Sequence, residues 1–199
     1  MPGEDVAIDA ELVGRARSGD SAAFDALVAR HEGRVRRVAR AWSASEADAD
    51  DLAQTAFLRA FRDLGQLDDP ARFGRWVLRI VLNAARDARR RATLRPFWSA
   101  RSLDAADLEG EGRPLPPSVT APDADPADTA AAAETAAALD EAIANLPPDL
   151  RTVLVLHIGE GLPHAAIAET VGCTEATVRW RLFEARKILR TKLGKRLES

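Results

Sequence analysis

Leu12, Val13 and Ala16 recur at helical spacing between Ile8 and Arg17. The triplet Ser18-Gly19-Asp20 that follows predicts a stop and a restart. Glycine ends one helix, and Asp or Ser caps the next. Phe24, Leu27, Val28, Val35, Val38 and Trp42 form the apolar stripe of a second predicted helix. Ser45 with Asp48 resembles a capping box and opens a third helix, with Leu52, Phe57 and Phe61 on its apolar side. Asp69 and Pro70 make an N-cap and first-turn pair for a fourth helix running to about Arg91. No segment alternates at period two, so the expected fold is all-α.

That pattern stops near residue 95. Pro114, Pro116, Pro117, Pro122 and Pro126 lie among Gly110, Gly112 and acidic side chains. Such a stretch buries too little apolar surface to offset the entropy of ordering it. It is expected to be a flexible linker. Helical periodicity resumes after the Ala-rich run 130–138, with Leu139, Ile143 and Leu146. Pro147 and Pro148 separate that helix from one with Leu150, Val153, Leu154 and Leu156 on its buried face. Gly159 and Gly161 end it, and Pro163 opens a short helix, His164 to Val171. Gly172-Cys173-Thr174 is a tight turn into a long helix reaching about Leu193. Two small helical domains are therefore expected, at 9–94 and 130–196, with the linker at 95–129 between them.

Composition excludes several classes. Hydrophobic residues make up 46% of the 199, enough for packed cores, yet no run of about 18 apolar residues is long enough to span a bilayer. The acidic N-terminal residues lack a cleavable hydrophobic segment, so the expected location is cytoplasmic, with no membrane insertion. One cysteine, Cys173, excludes an internal disulfide and a cysteine-cluster metal site. His31, His157 and His164 lack metal-ligand spacing, so neither a metal nor a cofactor is expected. Cys173 reads as a small apolar side chain in a turn or as a thiol open to oxidation.

The net charge of −3 hides an asymmetry. Residues 1–101 carry 18 arginines against 15 acidic residues, and residues 151–199 carry nine basic against five acidic. Residues 102–150 carry 11 acidic residues and one arginine. Two mildly basic ends flank an acidic middle, which suits a polyanionic partner for the ends.

The last two helices have the requirements of a helix-turn-helix. Ala168 is small enough for the crossing, Gly172 suits the turn, and Val178 locks the second helix, with Ile167 and Val171 beside them. Thr174 is placed to cap that helix and present free N–H groups to a phosphate. Projected around the helix, Val178, Leu182, Ala185 and Leu189 share the core side. Ala176, Trp180, Phe183, Glu184 and Lys187 lie opposite, flanked by Thr177, Arg179, Arg181 and Arg186. Two aromatics on an outer face are unusual for a solvated helix. Arginines bridge phosphates or read guanine edges, and apolar groups meet thymine methyls. The plainer reading is a helical hairpin with a basic surface.

In the first domain Arg79, Arg86, Arg89, Arg90 and Arg91 follow one helix with Asn83 among them, either as DNA contacts or as partners of the helix dipole. Phe73 and Trp76 either stack on bases or fill the core. Asp48, Asp50 and Asp51 near a helix start read as capping. No nucleophile–base pair, phosphate loop or glycine fingerprint is present, so no enzymatic activity is expected.

Together these residues resemble the extracytoplasmic-function subfamily of the sigma-70 family of RNA polymerase sigma factors. The first part of the resemblance is carried by Gly19-Asp20 with Ala23-Phe24, by the run from Asp50 to Ala60, by Phe73 to Ile80, and by Asn83 to Arg86. The second is carried by Leu146 to Arg151, Ile167-Ala168, and Thr177 to Leu182. It covers about residues 9–92 and 136–193, in the family's order.

The resemblance implies two functional domains, sigma regions 2 and 4. Asp51, Gln54, Phe57 and Leu58 fall where the family grips core RNA polymerase. Phe73, Arg75, Trp76, Arg79, Asn83 and Arg86, with the loop from Gly65 to Arg72, fall where it captures a flipped promoter base and tracks the strand at the −10 element. Flipping costs a few kcal/mol, which a pocket and a basic track must recover. Thr174, Thr177, Arg179, Trp180, Arg181, Phe183, Glu184, Arg186 and Lys187 fall where it reads the −35 element in the major groove. The acidic linker would thread polymerase channels that otherwise hold nucleic acid. The expected partners are core RNA polymerase, promoter DNA and an anti-sigma factor. Trp180 stands where a small polar residue is common and Glu184 where a basic one is frequent, so no promoter sequence transfers. Two other functions compete. A stand-alone helix-turn-helix regulator would need only residues 136–199. A helical interaction protein would leave the outer aromatics and arginines without a task.

Overall fold

The computed structural model describes residues 2–94 and 138–197, and these are helical with short turns. The expected linker at 95–129, the Phe97-Trp98 pair and the Ala-rich run as far as residue 137 lie outside the described residues. The helices are α1 (Pro2–Arg17), α2 (Ser21–Arg40), α3 (Glu46–Asp63), α4 (Phe73–Leu94), α5 (138–144), α6 (Pro148–Leu154), α7 (His164–Val171) and α8 (Glu175–Leu197). One compact unit is built from α1–α4, and a second from α5, α6 and α8, with α7 leading into α8. Among the described residues, no helix is long and apolar enough to cross a membrane.

Local chemistry sets the boundaries of the first unit. Gly19 takes a φ of 97°, and the Asp20 carboxylate accepts from the Ala23 N–H at 3.2 Å, so α2 starts one residue later. Ser45 caps α3 by accepting from the Asp48 N–H at 3.1 Å. The expected reciprocal half of the box is absent: the Asp48 carboxylate accepts from the Ser45 hydroxyl at 2.7 Å instead. Asp69 caps a 3₁₀ turn, Pro70–Arg72, which runs directly into α4.

The core of this unit is Val13, Phe24, Leu27, Val35, Val38, Phe73, Val77, Leu78, Val81 and Leu82, all buried. The inward stripe of α3 differs from the one expected. Ala49, Ala53, Ala56, Phe57 and Ala60 are buried, whereas Leu52 is half-buried and Phe61 is 55% exposed, edge-on to Phe24. Small side chains let α3 approach its neighbours closely, which leaves no room for Phe61 inside.

α1 is tied to α2 by charge. Asp9 is 6% exposed; its carboxylate lies 2.8 Å from His31 Nε2 and accepts from Arg30 Nε at 3.0 Å. Burial pushes the Asp9 carboxyl up, but the His31 hydrogen bond and charge, then Arg30, bring it below its ordinary value of 3.8. A depressed folded value means the contribution is complete above the ordinary carboxylate range and is lost as pH falls from there through the lower folded value. Asp9→Asn is therefore expected to cost about 1.5 kcal/mol at pH 7. The difference from wild type should shrink toward pH 3, as urea melts at both pH values would record. An equal difference at both would mean that the Asp9 charge does not hold α1.

In the second unit, Leu150 and Arg151 donate their backbone N–H groups to Pro147 O at 2.9 and 3.0 Å, opening α6 without a side-chain cap. Half-buried Arg151 donates to Ala144 O and, at 3.0 Å, to Leu146 O, joining the end of α5 to α6; its loss of water lowers its pKa. Leu150, Val153, Leu154 and Leu156 are buried as expected. Leu139, expected on the apolar side of α5, is 38% exposed. Beyond Leu154 the helix widens into a π turn, Val155–Gly159, which leaves Ile158 69% exposed.

Candidate nucleic-acid interface

Gly172 links α7 to α8 with a φ of 75°, a left-handed conformation that a side chain would disfavour. The Cys173 N–H bonds back to Ala168 O at 3.0 Å and closes the turn. The Thr174 hydroxyl accepts from the Thr177 N–H at 3.2 Å and lies 2.9 Å from the Thr177 hydroxyl, capping α8. Ile167, Ala168, Val171, Val178, Leu182 and Ala185 are all buried, and Leu189 is half-buried.

With that side of α8 committed to packing, the other side is open. Trp180 is 59% and Phe183 63% exposed, and Arg179, Arg186 and Lys187 are exposed beside them. Arg179 lies 3.8 Å from Glu175, and Lys187 lies 3.8 Å from the half-buried Glu184; such exposed pairs hold their charges weakly. A groove of about 450 Å³ runs along this side, lined by His164, Arg179, Phe183, Arg186, Lys187 and Arg190 above Leu182. Arg190 extends the helical row and was legible in the spacing. His164 comes from α7, and only the fold brings it here.

Arg181 differs from the expectation. Its side chain is 19% exposed and lies 3.9 Å from the Asp149 carboxylate at the start of α6. Its position next to the Val178–Leu182 packing side turns it inward, away from the outer face that carries Arg179 and Trp180.

In the first unit, Arg75, Arg79, Asn83 and Arg86 follow one ridge of α4 at intervals of three to four residues. Arg79 and Asn83 are exposed; Arg75, Trp76 and Arg86 are half-buried, and the Arg86 guanidinium lies 5.9 Å from the centre of the Trp42 ring. Phe73 is completely buried among Phe24, His31 and Trp76, with ring centres 6.4, 5.3 and 6.0 Å away. Its faces are therefore unavailable to a base, and of the two aromatics only Trp76 reaches the surface.

Along α3, Asp51, Gln54, Thr55, Leu58 and Phe61 are exposed, with Leu58 at 66%. Phe57 is buried at 8% and belongs to the core, because its position falls on the alanine side of the helix. Phe61, expected inside, instead extends the exposed apolar surface of Leu58. A groove of about 500 Å³ runs beside this face, lined among others by Trp42, Asp51, Leu52, Thr55, Arg59 and Arg89.

The sequence matches the family model for sigma-70 region 2 over residues 27–95 and that for sigma-70 region 4 over residues 136–189. It is 33% identical over 185 residues to RNA polymerase sigma-H factor of Pseudomonas aeruginosa, covering 91% of each chain. It is 36% identical over 186 residues to ECF RNA polymerase sigma factor SigM of Mycobacterium tuberculosis, covering 94% of this chain and 85% of that one. Among solved structures it resembles CnrH in complex with the cytosolic domain of CnrY, with a TM-score of 0.62 and 27% identity over 94% of this chain and 98% of that one.

Proposed function

We propose, of a chain that belongs to the extracytoplasmic-function subfamily of sigma-70 factors, that its two helical units read the two halves of a promoter for core RNA polymerase. The domains are 9–94 and 130–196, with 95–129 as the tether. The protein supplies specificity and performs no chemistry of its own, and it acts in the cytoplasm, where polymerase and promoter are.

The observation that carries this reading is the outer side of α8. Exposed Trp180 and Phe183 stand among Arg179, Arg186 and Lys187, on a helix whose N-terminus is capped by Thr174. A helix of this kind fits the major groove, with cations on phosphates and guanine edges and aromatics against thymine methyls. Thr177 and Glu184 border the same surface. Arg181 supports it from behind. In the first unit Arg75, Trp76, Arg79, Asn83 and Arg86 form the track for the displaced strand. A stand-alone helix-turn-helix regulator would have no use for that track or for the exposed α3 face.

Asp51, Gln54 and Leu58 form the polymerase-docking surface. Gln54→Ala combined with Leu58→Ala is expected to weaken core polymerase affinity about tenfold without unfolding the protein, since both side chains are exposed. Titrating labelled core polymerase against both proteins measures this. Unchanged affinity in a folded double variant would remove the docking assignment. Phe57 does not belong in that test, because truncating it opens the core. Control by an anti-sigma partner fits the same surfaces: CnrH is solved with the cytosolic domain of CnrY bound, and exposed Leu58, Phe61, Trp180 and Phe183 offer apolar area for such a partner to cover.

A further inference from the structure

The segment between α3 and α4 bends twice, through 3₁₀ turns at Leu64–Gln66 and Pro70–Arg72. Leu64 and Leu67 are buried anchors, while Gly65, Gln66, Asp68 and Asp69 are exposed. The backbone carbonyls of Leu64 and Leu67 are both held by one side chain from a distant part of the chain. Arg17, in the last turn of α1, donates to Leu64 O from Nε at 3.2 Å and from Nη2 at 3.0 Å, and Nη2 also donates to Leu67 O. These bonds bridge 47 and 50 residues of sequence.

We infer that Arg17 is a positioning residue that fixes the Gly65–Arg72 loop in the shape that receives the unpaired promoter base. The inference rests on the proposed reading of the −10 strand and on the role the family resemblance implies for that loop, and it assigns a role to a residue about 50 positions away in sequence. A planar guanidinium offers several N–H donors in a fixed fork, so one side chain fixes the separation of two carbonyls. The rest of the loop gets its order from within. Asp69 accepts from the Ala71 N–H at 3.0 Å and from Arg72 Nε at 3.1 Å. Those bonds shape the second bend; the first is closed by the Leu67 N–H donating to Leu64 O at 3.3 Å, and Arg17 ties that same turn to α1. Without the fork, Leu64 O and Leu67 O lose their shared donor, and the exposed residues between them sample other arrangements. A receptor that must order itself on binding loses affinity for its ligand.

The test uses full-length protein bound to core polymerase and a fluorescent single-stranded oligonucleotide carrying the −10 element. Two variants are compared with wild type at a temperature where circular dichroism shows all three folded. Arg17→Ala removes the fork. Arg17→Lys keeps the charge but presents one nitrogen in place of two. Both are expected to bind the single strand about tenfold more weakly, with core polymerase affinity and duplex −35 binding unchanged. Two results overturn the inference. One is wild-type affinity for the single strand in either folded variant. The other is an equal loss of core polymerase affinity, which would mark a general structural role. Should Arg17→Ala fail to fold, Arg17→Lys alone decides. Failure of wild type itself to bind the strand would instead count against the proposed function of the loop.

Discussion

Phe73→Ala should destabilise the α1–α4 unit by about 3–5 kcal/mol, the usual cost of emptying a buried phenylalanine site. For a unit of this size that lowers the melting temperature by on the order of 15–30 °C. The ring is fully buried and meets Phe24 and His31 of α2 and Trp76 of its own helix, so its removal leaves a cavity that α2 and α4 would have to collapse into. The same geometry separates core from contact. Phe73→Leu keeps most of the volume, so it should fold and bind a single-stranded −10 oligonucleotide within about twofold of wild type. Trp76→Ala, at a half-buried position, should cost less stability but weaken that binding by about 1–3 kcal/mol if its ring stacks on a base. A folded Phe73→Leu protein that lost strand affinity tenfold would put the buried ring in contact with DNA and contradict the assignment.

Arg179→Ala should weaken binding to the cognate −35 duplex by about 1–3 kcal/mol while sparing random duplex, if its guanidinium reads a base edge. Equal losses on the two duplexes would make it a phosphate contact. Arg181 supplies the internal comparison. Its side chain is largely covered and faces Asp149, so Arg181→Ala should lower the melting temperature of the second unit more than it lowers discrimination between the duplexes. Fluorescence anisotropy with both duplexes, at a fixed salt concentration, separates the two arginines, because salt changes the phosphate contribution on its own.

The two arginines also show where the chain is readable. Turns and caps are local: Asp20, Ser45, Asp69, Gly172 and Thr174 act where their side chains or backbone freedom require, and α7 has its expected bounds. The core side of α8 was legible from period alone. Arg181 was not, because a long flexible side chain beside the packing side turns toward whichever partner the fold supplies, here Asp149. The α3 stripe misled for a different reason. Large apolar residues look like core and alanines look neutral, yet close helix packing selects the alanines and leaves Phe61 outside. Phe57 and Phe73 are buried while Leu58 and Arg79 in the same motifs are exposed, so membership of the motif says nothing about which side chain reaches the surface. The His164 contribution to the α8 groove and the Arg17 fork depend on contacts between separate segments of the chain, and no local pattern announces them.

The measurement that tests the account most directly is transcription with purified components: this chain, core RNA polymerase from its own source, and genomic fragments as template. Initiation at a small set of defined start sites, dependent on the added chain and lost when Gln54→Ala and Leu58→Ala are combined, is the expected result. Folded protein that binds core polymerase but yields no start sites above the background of core alone would contradict it.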